Sequence, residues 1–441
     1  MSGSLSSLNT ALTALQYQRS ALDVAASNVA NATTEGYTRR RVNGETIGPS
    51  ATPALWSRQS PAGEGVKATS IQRMNDAILD ARARREHASQ SYLDLRASSL
   101  ARVETGIGEP GEKGVAAALT SFRTSWSDVK NNPSSEAARS QVIAKAQTLI
   151  GAISAQVANV DGEIADQQTR LASTVTEINT VAEQLAATNK NVVSATLNGV
   201  DTTALLDQRD QLAMKLSELS GGTVTIHDNG VADVSVGGHD LVTLDSSRPL
   251  DAAALPTGLS GRIGAVQELL TTTLPAYKTG LGEVVTKLAD QVNSLHGTGF
   301  DLDGAAGQPF FTYDPADPAG TVAVAITDPR KLAVAATGGA TGNHDGSIAT
   351  QLAAANDGGT AYQSLVNGFG SKVASAQGLA ATQQLLTSQV DGARDQVSGV
   401  SLDEEMVGML ASQRAYEAAS RVMTVVDSVL DTLINRTGLL R

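Results

Sequence analysis

Residues 5–29 read Leu5-Ser-Ser-Leu8-Asn-Thr-Ala-Leu12-Thr-Ala-Leu15-Gln-Tyr-Gln-Arg19-Ser-Ala-Leu22-Asp-Val-Ala-Ala26-Ser-Asn-Val29. Leu5, Leu8, Leu12, Leu15, Leu22 and Val29 fall on alternating steps of three and four, and the pattern skips only Arg19 and Ala26. Such a stripe marks a helix that lies lengthwise on another helix. At about 1.5 Å per residue, a helix from Leu5 to Asn31 is a rod roughly 40 Å long. The polar stretch Asn31-Ala-Thr-Thr-Glu-Gly36 ends it, with glycine as the terminator.

The other end of the chain mirrors this one. Leu402, Met406, Met409, Tyr416, Met423, Leu430 and Ile434 (or Leu433) carry a similar stripe, interrupted by Gln413, Ser420 and Asp427. Ser401 followed by Glu404 is a capping-box start, and Asn435-Arg-Thr-Gly438 is an exit. The two stripes are expected to pair as a terminal coil and to supply the residues of an assembly interface. Gln18 and Ser412 lie off the stripes.

Between the ends, helical patterns run over about 74–103, 115–130, 134–187 (with a break near Asn159-Val-Asp-Gly162) and 201–219. Thr223-Val-Thr-Ile226 and Val231-Ala-Asp-Val-Ser-Val236 flank Asp228-Asn-Gly230, a hairpin signal. Helical pattern returns over 262–296, with a possible break at Pro275, and again from Ser347 onward. Residues 298–345 are rich in Gly, Pro and Asp, with β-like pieces at Phe310-Phe-Thr-Tyr313 and Val322-Ala-Val-Ala-Ile326. No internal repeat of fixed period is present.

Composition narrows the chemistry. The chain of 441 residues is long enough for two or three domains. It contains no cysteine, so disulfides and thiolate sites are excluded. Aromatics make up 3% of residues, which suits alanine-packed helices better than an aromatic-rich core. The net charge of −12 repels phosphate backbones, so no nucleic-acid partner is expected. Arg39, Arg40 and Arg41 form a basic run that reads as a solvated loop end. The N-terminus lacks the charged and apolar regions of a secretory signal. No apolar run is long enough for a membrane span, and no membrane partner is expected.

The motifs that match on spelling fail on context. Gly106-Ile-Gly108-Glu-Pro-Gly111 fits G-x-G-x-x-G but follows a helix, not a strand. Asp301-Leu-Asp303-Gly304 has the opening of a calcium loop without its later ligands, so a turn is expected. His87, His227, His239, His296 and His344 show no metal-ligand spacing. Trp56 and Trp126 read as core or interface anchors. No catalytic residue, cofactor or metal site is expected.

Two stretches carry a resemblance. Leu22-Asp-Val-Ala-Ala-Ser-Asn-Val-Ala-Asn-Ala-Thr-Thr-Glu-Gly-Tyr37 resembles the N-terminal signature of the flagellar rod, hook and hook-associated axial proteins. Glu405-Met-Val-Gly-Met-Leu-Ala-Ser-Gln-Arg-Ala-Tyr-Glu-Ala-Ala-Ser-Arg-Val-Met423 resembles their C-terminal one. Gly36-Tyr-Thr-Arg-Arg-Arg-Val42, Asn131-Asn-Pro-Ser-Ser-Glu-Ala-Ala-Arg139 and Leu205-Leu-Asp-Gln-Arg-Asp-Gln-Leu212 narrow it to the hook-associated protein 1 branch. Gly261-Arg-Ile-Gly264, Leu274-Pro-Ala-Tyr277 and Asn293-Ser-Leu-His-Gly297 extend it. The chain is short for that branch, so an additional outer domain of longer members is expected to be missing.

The resemblance implies a mostly α, elongated multidomain axial protein with a smaller β-rich portion and paired N- and C-terminal coiled-coil helices. The expected division is 1–70 with 400–441 as the terminal coil, 71–219, 261–297 and 346–399 as a helical intermediate domain, and 220–260 with 298–345 as a β-rich outer portion. The implied function is a structural subunit joining hook to filament, exported by the flagellar type III apparatus. Implied partners are further copies of itself, the hook protein, hook-associated protein 3 and a cytoplasmic export chaperone on the C-terminal helix. Two other readings stay open: another axial subunit, such as hook or distal rod protein, and an enzyme fused to axial helices. The long helical stretch from Ser134 to Leu219 speaks against the first. The lack of paired carboxylates or a metal site speaks against the second.

Overall fold

The computed structural model describes residues 2–48, 65–338 and 345–432. Trp56, His344, Leu433 and Ile434 therefore lie outside the described residues. In chain order the elements are α1 (Ser2–Ala30), β1 (Arg40–Ile47), β2 (Gly65–Arg73), α2 (Ala77–Ile107), α3 (Val115–Asn131), α4 (Glu136–Leu197) and α5 (Thr203–Ser220). A meander follows of β3 (Thr223–Ile226), β4 (Ala232–Val236), β5 (His239–Thr243) and β6 (Ser246–Ser247). Then come α6 (Gly261–Glu268), α7 (Leu274–Gly297), β7 (Phe311–Thr312), the single turn α8 (Pro318–Thr321), β8 (Ala323–Val324), α9 (Ser347–Ala354), α10 (Asp357–Ser398) and α11 (Leu402–Asp431).

The spine is α4. Its 62 residues span about 93 Å. The break expected near Asn159–Gly162 does not occur. An interior glycine costs about 1 kcal/mol, and tertiary packing on both sides outweighs that. Val160 is buried, and the buried Glu163 accepts from Ser99 Oγ at 2.6 Å, Arg102 Nη2 at 2.7 Å and Gln167 Nε2 at 2.8 Å. The irregularity expected at Pro275 does occur. Leu269–Thr273 forms a π turn between α6 and α7. A proline lacks the N–H and crowds the carbonyl four residues back, and the wider turn accommodates both.

Two hydrophobic cores lie along the spine. One combines the first half of α4 (Val142 to Val160) with α2, α3, α7, α9 and α10. The other combines the second half of α4 (Val175 to Ala186) with α5, the β3–β6 sheet and Ile263 of α6. The expected hairpin is present, with Ile226 opposite Ala232 and Gly230 at φ +82°. The antiparallel β1–β2 hairpin was not expected at all.

The β portion is placed differently from the expectation. The β3–β6 sheet flanks the half of α4 nearer the terminal coil and is not an outer tip. The described part of 298–345 has only the two-residue strands β7 and β8, and it is built into the first core. Phe310 and Phe311 pack on Phe122, and Phe310 also on Trp126, with ring centroids 5.7–5.9 Å apart. The apolar anchors of this segment occur singly or in pairs, so no period reveals them.

Side chains from the helices satisfy its irregular backbone. Asn293 Oδ1 accepts from the amides of Phe310 and Phe311 at 2.8 and 2.9 Å, and its Nδ2 donates to Phe311 O at 2.8 Å. His296 Nδ1 donates to Gln308 O at 2.7 Å while Nε2 accepts from Ala333 N at 2.8 Å. The buried Arg139 donates to the carbonyls of Pro133 and Leu332.

Candidate assembly interface

The terminal helices α1 and α11 pack along one another. They run antiparallel, because Asn28 near the end of α1 bonds Glu405 near the start of α11. Each stripe read from the sequence combines two rows of residues seven apart, and only one row of each faces the partner helix.

In α1, the row Leu8, Leu15, Leu22 and Val29 is half-buried, whereas Leu12, Arg19 and Ala26 are exposed. In α11, Met409, Met423 and Leu430 are half-buried. Met406 at 47%, Leu402 at 49% and Tyr416 at 39% are exposed, as is Leu12 at 41%. The side-chain surroundings of Leu5 are not described.

Beside these rows, the packed positions include small or polar residues, Ala11, Gln18 and Ala25 on α1 and Glu405, Ser412 and Ala419 on α11, together with Val24 and Val426. Gln18 and Ser412 thus lie on the packed side, contrary to expectation. The interruptions were informative. Arg19 and Ala26 share the row of Leu12, and Gln413, Ser420 and Asp427 share the row of Met406, so broken rows mark the outward faces.

Small residues let the two helices approach closely and leave larger apolar side chains outside. Val407, Leu410, Val422, Val425 and Val429 of α11 are exposed together with Met406. A helix pair with apolar residues on both its inner and outer sides has surface left for a further partner.

At the base of the coil the two signature stretches meet. Asn28 Nδ2 donates to Glu405 Oε2 at 3.0 Å and to Arg40 O at 2.9 Å. Its Oδ1 accepts from Arg40 N at 3.0 Å and from the Tyr37 hydroxyl at 2.8 Å. Arg39 Nε donates to Glu405 Oε1 at 2.7 Å, which completes a buried clasp on that carboxylate. Ser401 caps α11 through the Glu404 amide, as expected.

The arginine run is therefore not a solvated loop end, Arg41 excepted. Arg40 Nη2 donates to Asp207 of α5 at 3.0 Å, and Arg73 Nε at the end of β2 donates to the same carboxylate at 2.7 Å. Arg73 Nη2 reaches Asp210 at 2.6 Å, which Arg209 also pairs with. Gly36 at φ +74° brings Glu35 O onto Gln211 Nε2, and a Cβ there would strike the glutamine. The base of the coil is thus fixed to the helical body by buried charge pairs. Partners up to 377 positions apart leave no local signal, so nothing in the sequence pairs these residues.

The other sequence candidates are structural. The Gly106–Gly111 stretch comprises the last residues of α2 and the start of its connection to α3, with Gly108 as the helix cap. Asp301 Oδ1 accepts from the amides of Asp303 and Ala305, which makes the expected turn. Trp126 is fully buried. Among the described residues no group of three or more potential ligands could hold a metal ion, and no helix is long and apolar enough to cross a membrane.

Comparison with known proteins accounts for this arrangement. The family model described as "Flagellar hook-associated protein FlgK helical domain" matches residues 100–311. Models described as "Flagella basal body rod protein" and "Flagellar basal body rod FlgEFG protein C-terminal" match 8–38 and 394–436, the two helices of the coil. Flagellar hook-associated protein 1 of Bacillus subtilis (strain 168) is 28% identical over 509 aligned positions that take in 99% of each chain. Over nearly its whole length the chain is similar to flagellar hook-associated protein 1.

Flagellar hook-associated protein 1 of Escherichia coli (strain K12) is 25% identical over 556 positions, covering 97% of this chain and 99% of that one. Both alignments exceed the 441 residues here, so these relatives carry insertions relative to this chain. The flagellar hook junction protein FlgK from Burkholderia pseudomallei shares the fold, with a TM-score of 0.64 at 17% identity over 72% of this chain and all of that one. The relatives are structural flagellar proteins and not enzymes.

Proposed function

We propose that this chain is a structural subunit joining the flagellar hook to the filament and that it assembles through its terminal coil. The observation that carries this is the coil itself. The two signature helices pair through small residues and hold a second set of apolar side chains outward. In a helical array, contacts between unlike surfaces repeat without closing on a dimer, which is how a tube grows.

The same reading places further copies of the chain beside it, with hook protein on one side and hook-associated protein 3 on the other. It includes export through the flagellar type III channel, an export chaperone on α11 before secretion, and residence at the extracellular junction after a transient cytoplasmic stage. The similarity to flagellar hook-associated protein 1 supports these parts. Residues 2–48 and 65–73 with α11 form the assembly unit in this reading, and the two-core body acts as its outward spacer.

Leu12→Asp tests it. Leu12 is exposed in the single chain, so a carboxylate there stays solvated and the purified variant should melt as the wild type does. Burial against a neighbour would require desolvating that charge at a cost of several kcal/mol, repeated in every subunit. Immunogold electron microscopy of hook tips in a strain lacking the native subunit should then show no incorporation and no filament. Incorporation at the wild-type level would overturn the coil as the assembly surface.

A further inference from the structure

We propose that His87 is a proton-dependent clamp that holds three helices together where the helical body meets the terminal coil. The imidazole lies on α2 with one nitrogen against each of two carboxylates. Nδ1 is 3.2 Å from Glu218 Oε1 on α5, and Nε2 is 3.0 Å from both Asp391 oxygens on α10. A neutral imidazole has one N–H and one lone pair, so it satisfies one carboxylate and directs a lone pair at the other. Only the imidazolium donates to both. The geometry therefore selects the protonated ring.

The other charges around the ring are engaged elsewhere. On α2, Glu86 accepts from Gln383 Nε2 and lies 3.6 Å from Arg82. Arg84, also on α2, faces Asp210 and Asp80. On α10, Arg394 bonds Asp80 at 2.9 Å and stands 3.9 Å from Asp391, too far to replace the histidine. On α5, Lys215 pairs with Glu177 of α4. On α6, Arg262 pairs with Glu177 and Glu268 with Arg96. Glu218 also sits in the last turn of α5, where a carboxylate opposes the helix dipole unless a cation covers it. The hydrogen bond that His87 donates to Glu218 holds the His87 pKa above its usual value, against the opposing effect of burial, and the bond to Asp391 adds to the rise.

The position gives the clamp its consequence. Two turns beyond Asp391, Ser398 O accepts from the Arg39 amide, and α11 starts at Leu402. Loss of the proton releases one carboxylate and loosens the end of α10, which carries the coil. The protonated clamp holds the coil at a set angle, and the neutral one lets it swing.

Arg394 reports the change, because trypsin cuts after it only when the end of α10 opens. In the full-length chain, wild type and His87→Gln are digested side by side at each pH, which cancels the pH dependence of the protease. At pH 6 the wild type should be cleaved at Arg394 roughly threefold more slowly than the variant, and the two rates should converge by about pH 9. In parallel, the ring carbon-bound protons of His87, assigned by their loss in the variant, should titrate above the ordinary histidine value of about 6.5. A cleavage ratio that does not change with pH, or a ring titrating at or below that value, would overturn the clamp.

Discussion

At the scale of single residues, the coil depends on polar groups that are almost fully enclosed. Asp207 receives guanidinium N–H groups from both Arg40 and Arg73, and the three side chains are 7–15% exposed. Removing one partner of a buried ion pair leaves uncompensated charge and typically costs about 3–5 kcal/mol. Asp207→Ala should therefore lower the urea midpoint of the purified chain clearly. Glu404→Ala, at an exposed pair with Arg39, should change the unfolding free energy by no more than about 0.5 kcal/mol. Equal shifts for the two variants would contradict the buried network.

His296 sets an acid limit on stability. Burial depresses its pKa from 6.5 to about 4. The folded chain holds the neutral ring, whose Nε2 accepts from Ala333 N. A depressed pKa contributes stability that is complete above the unfolded value and is lost as pH falls from about 6.5 towards 4. The loss approaches about 3 kcal/mol. His87 works with the opposite sign, because its raised pKa contributes below the unfolded value and the contribution is lost as pH rises through the folded one. Denaturant unfolding of His296→Gln should show a flatter stability curve between pH 4 and 6.5, and His87→Gln a flatter one above it. An unchanged acid slope in His296→Gln would remove the buried neutral ring as its source.

At the scale of elements, α4 continues through glycines that packing overrides. Gly151 and Gly162 are exposed, helical, and have open space where a Cβ would lie. Alanine at either site removes unfolded-state entropy without a clash and should add about 0.5–1 kcal/mol, read as a raised thermal midpoint. A decrease would mean that these positions need the missing side chain. The coil shows a different balance. Leu430 is half-buried whereas Leu12 is exposed, so Leu430→Asp should reduce the helical circular dichroism of the monomer and Leu12→Asp should not.

At the scale of the whole molecule, stability is distributed unevenly along the length. The two cores around α4 are closed and well packed, whereas Glu405 is the only fully buried residue of α11 among the described ones. Isolated helices with little tertiary burial are marginal in water. Hydrogen exchange of the free chain should be fastest in α1 and α11 and slowest in α4. Comparable protection in the coil and the spine would show that the coil is complete without a neighbour.

The sequence by itself determined the terminal helices, the helical body, the 223–236 hairpin and the resemblance to flagellar axial proteins, because each is written in local periodicity or in a long contiguous stretch. Only the tertiary structure decided which row packs, because alanine and serine seams have no hydrophobic signal of their own. It alone placed the 298–338 segment in the first core, where isolated apolar residues and side chains such as Asn293 and His296 replace a regular backbone ladder. It alone joined Asn28 to Glu405 and Arg40 to Asp207. Charge pairs between residues distant in sequence depend on where the chain returns, and that is set by the packing of the whole body.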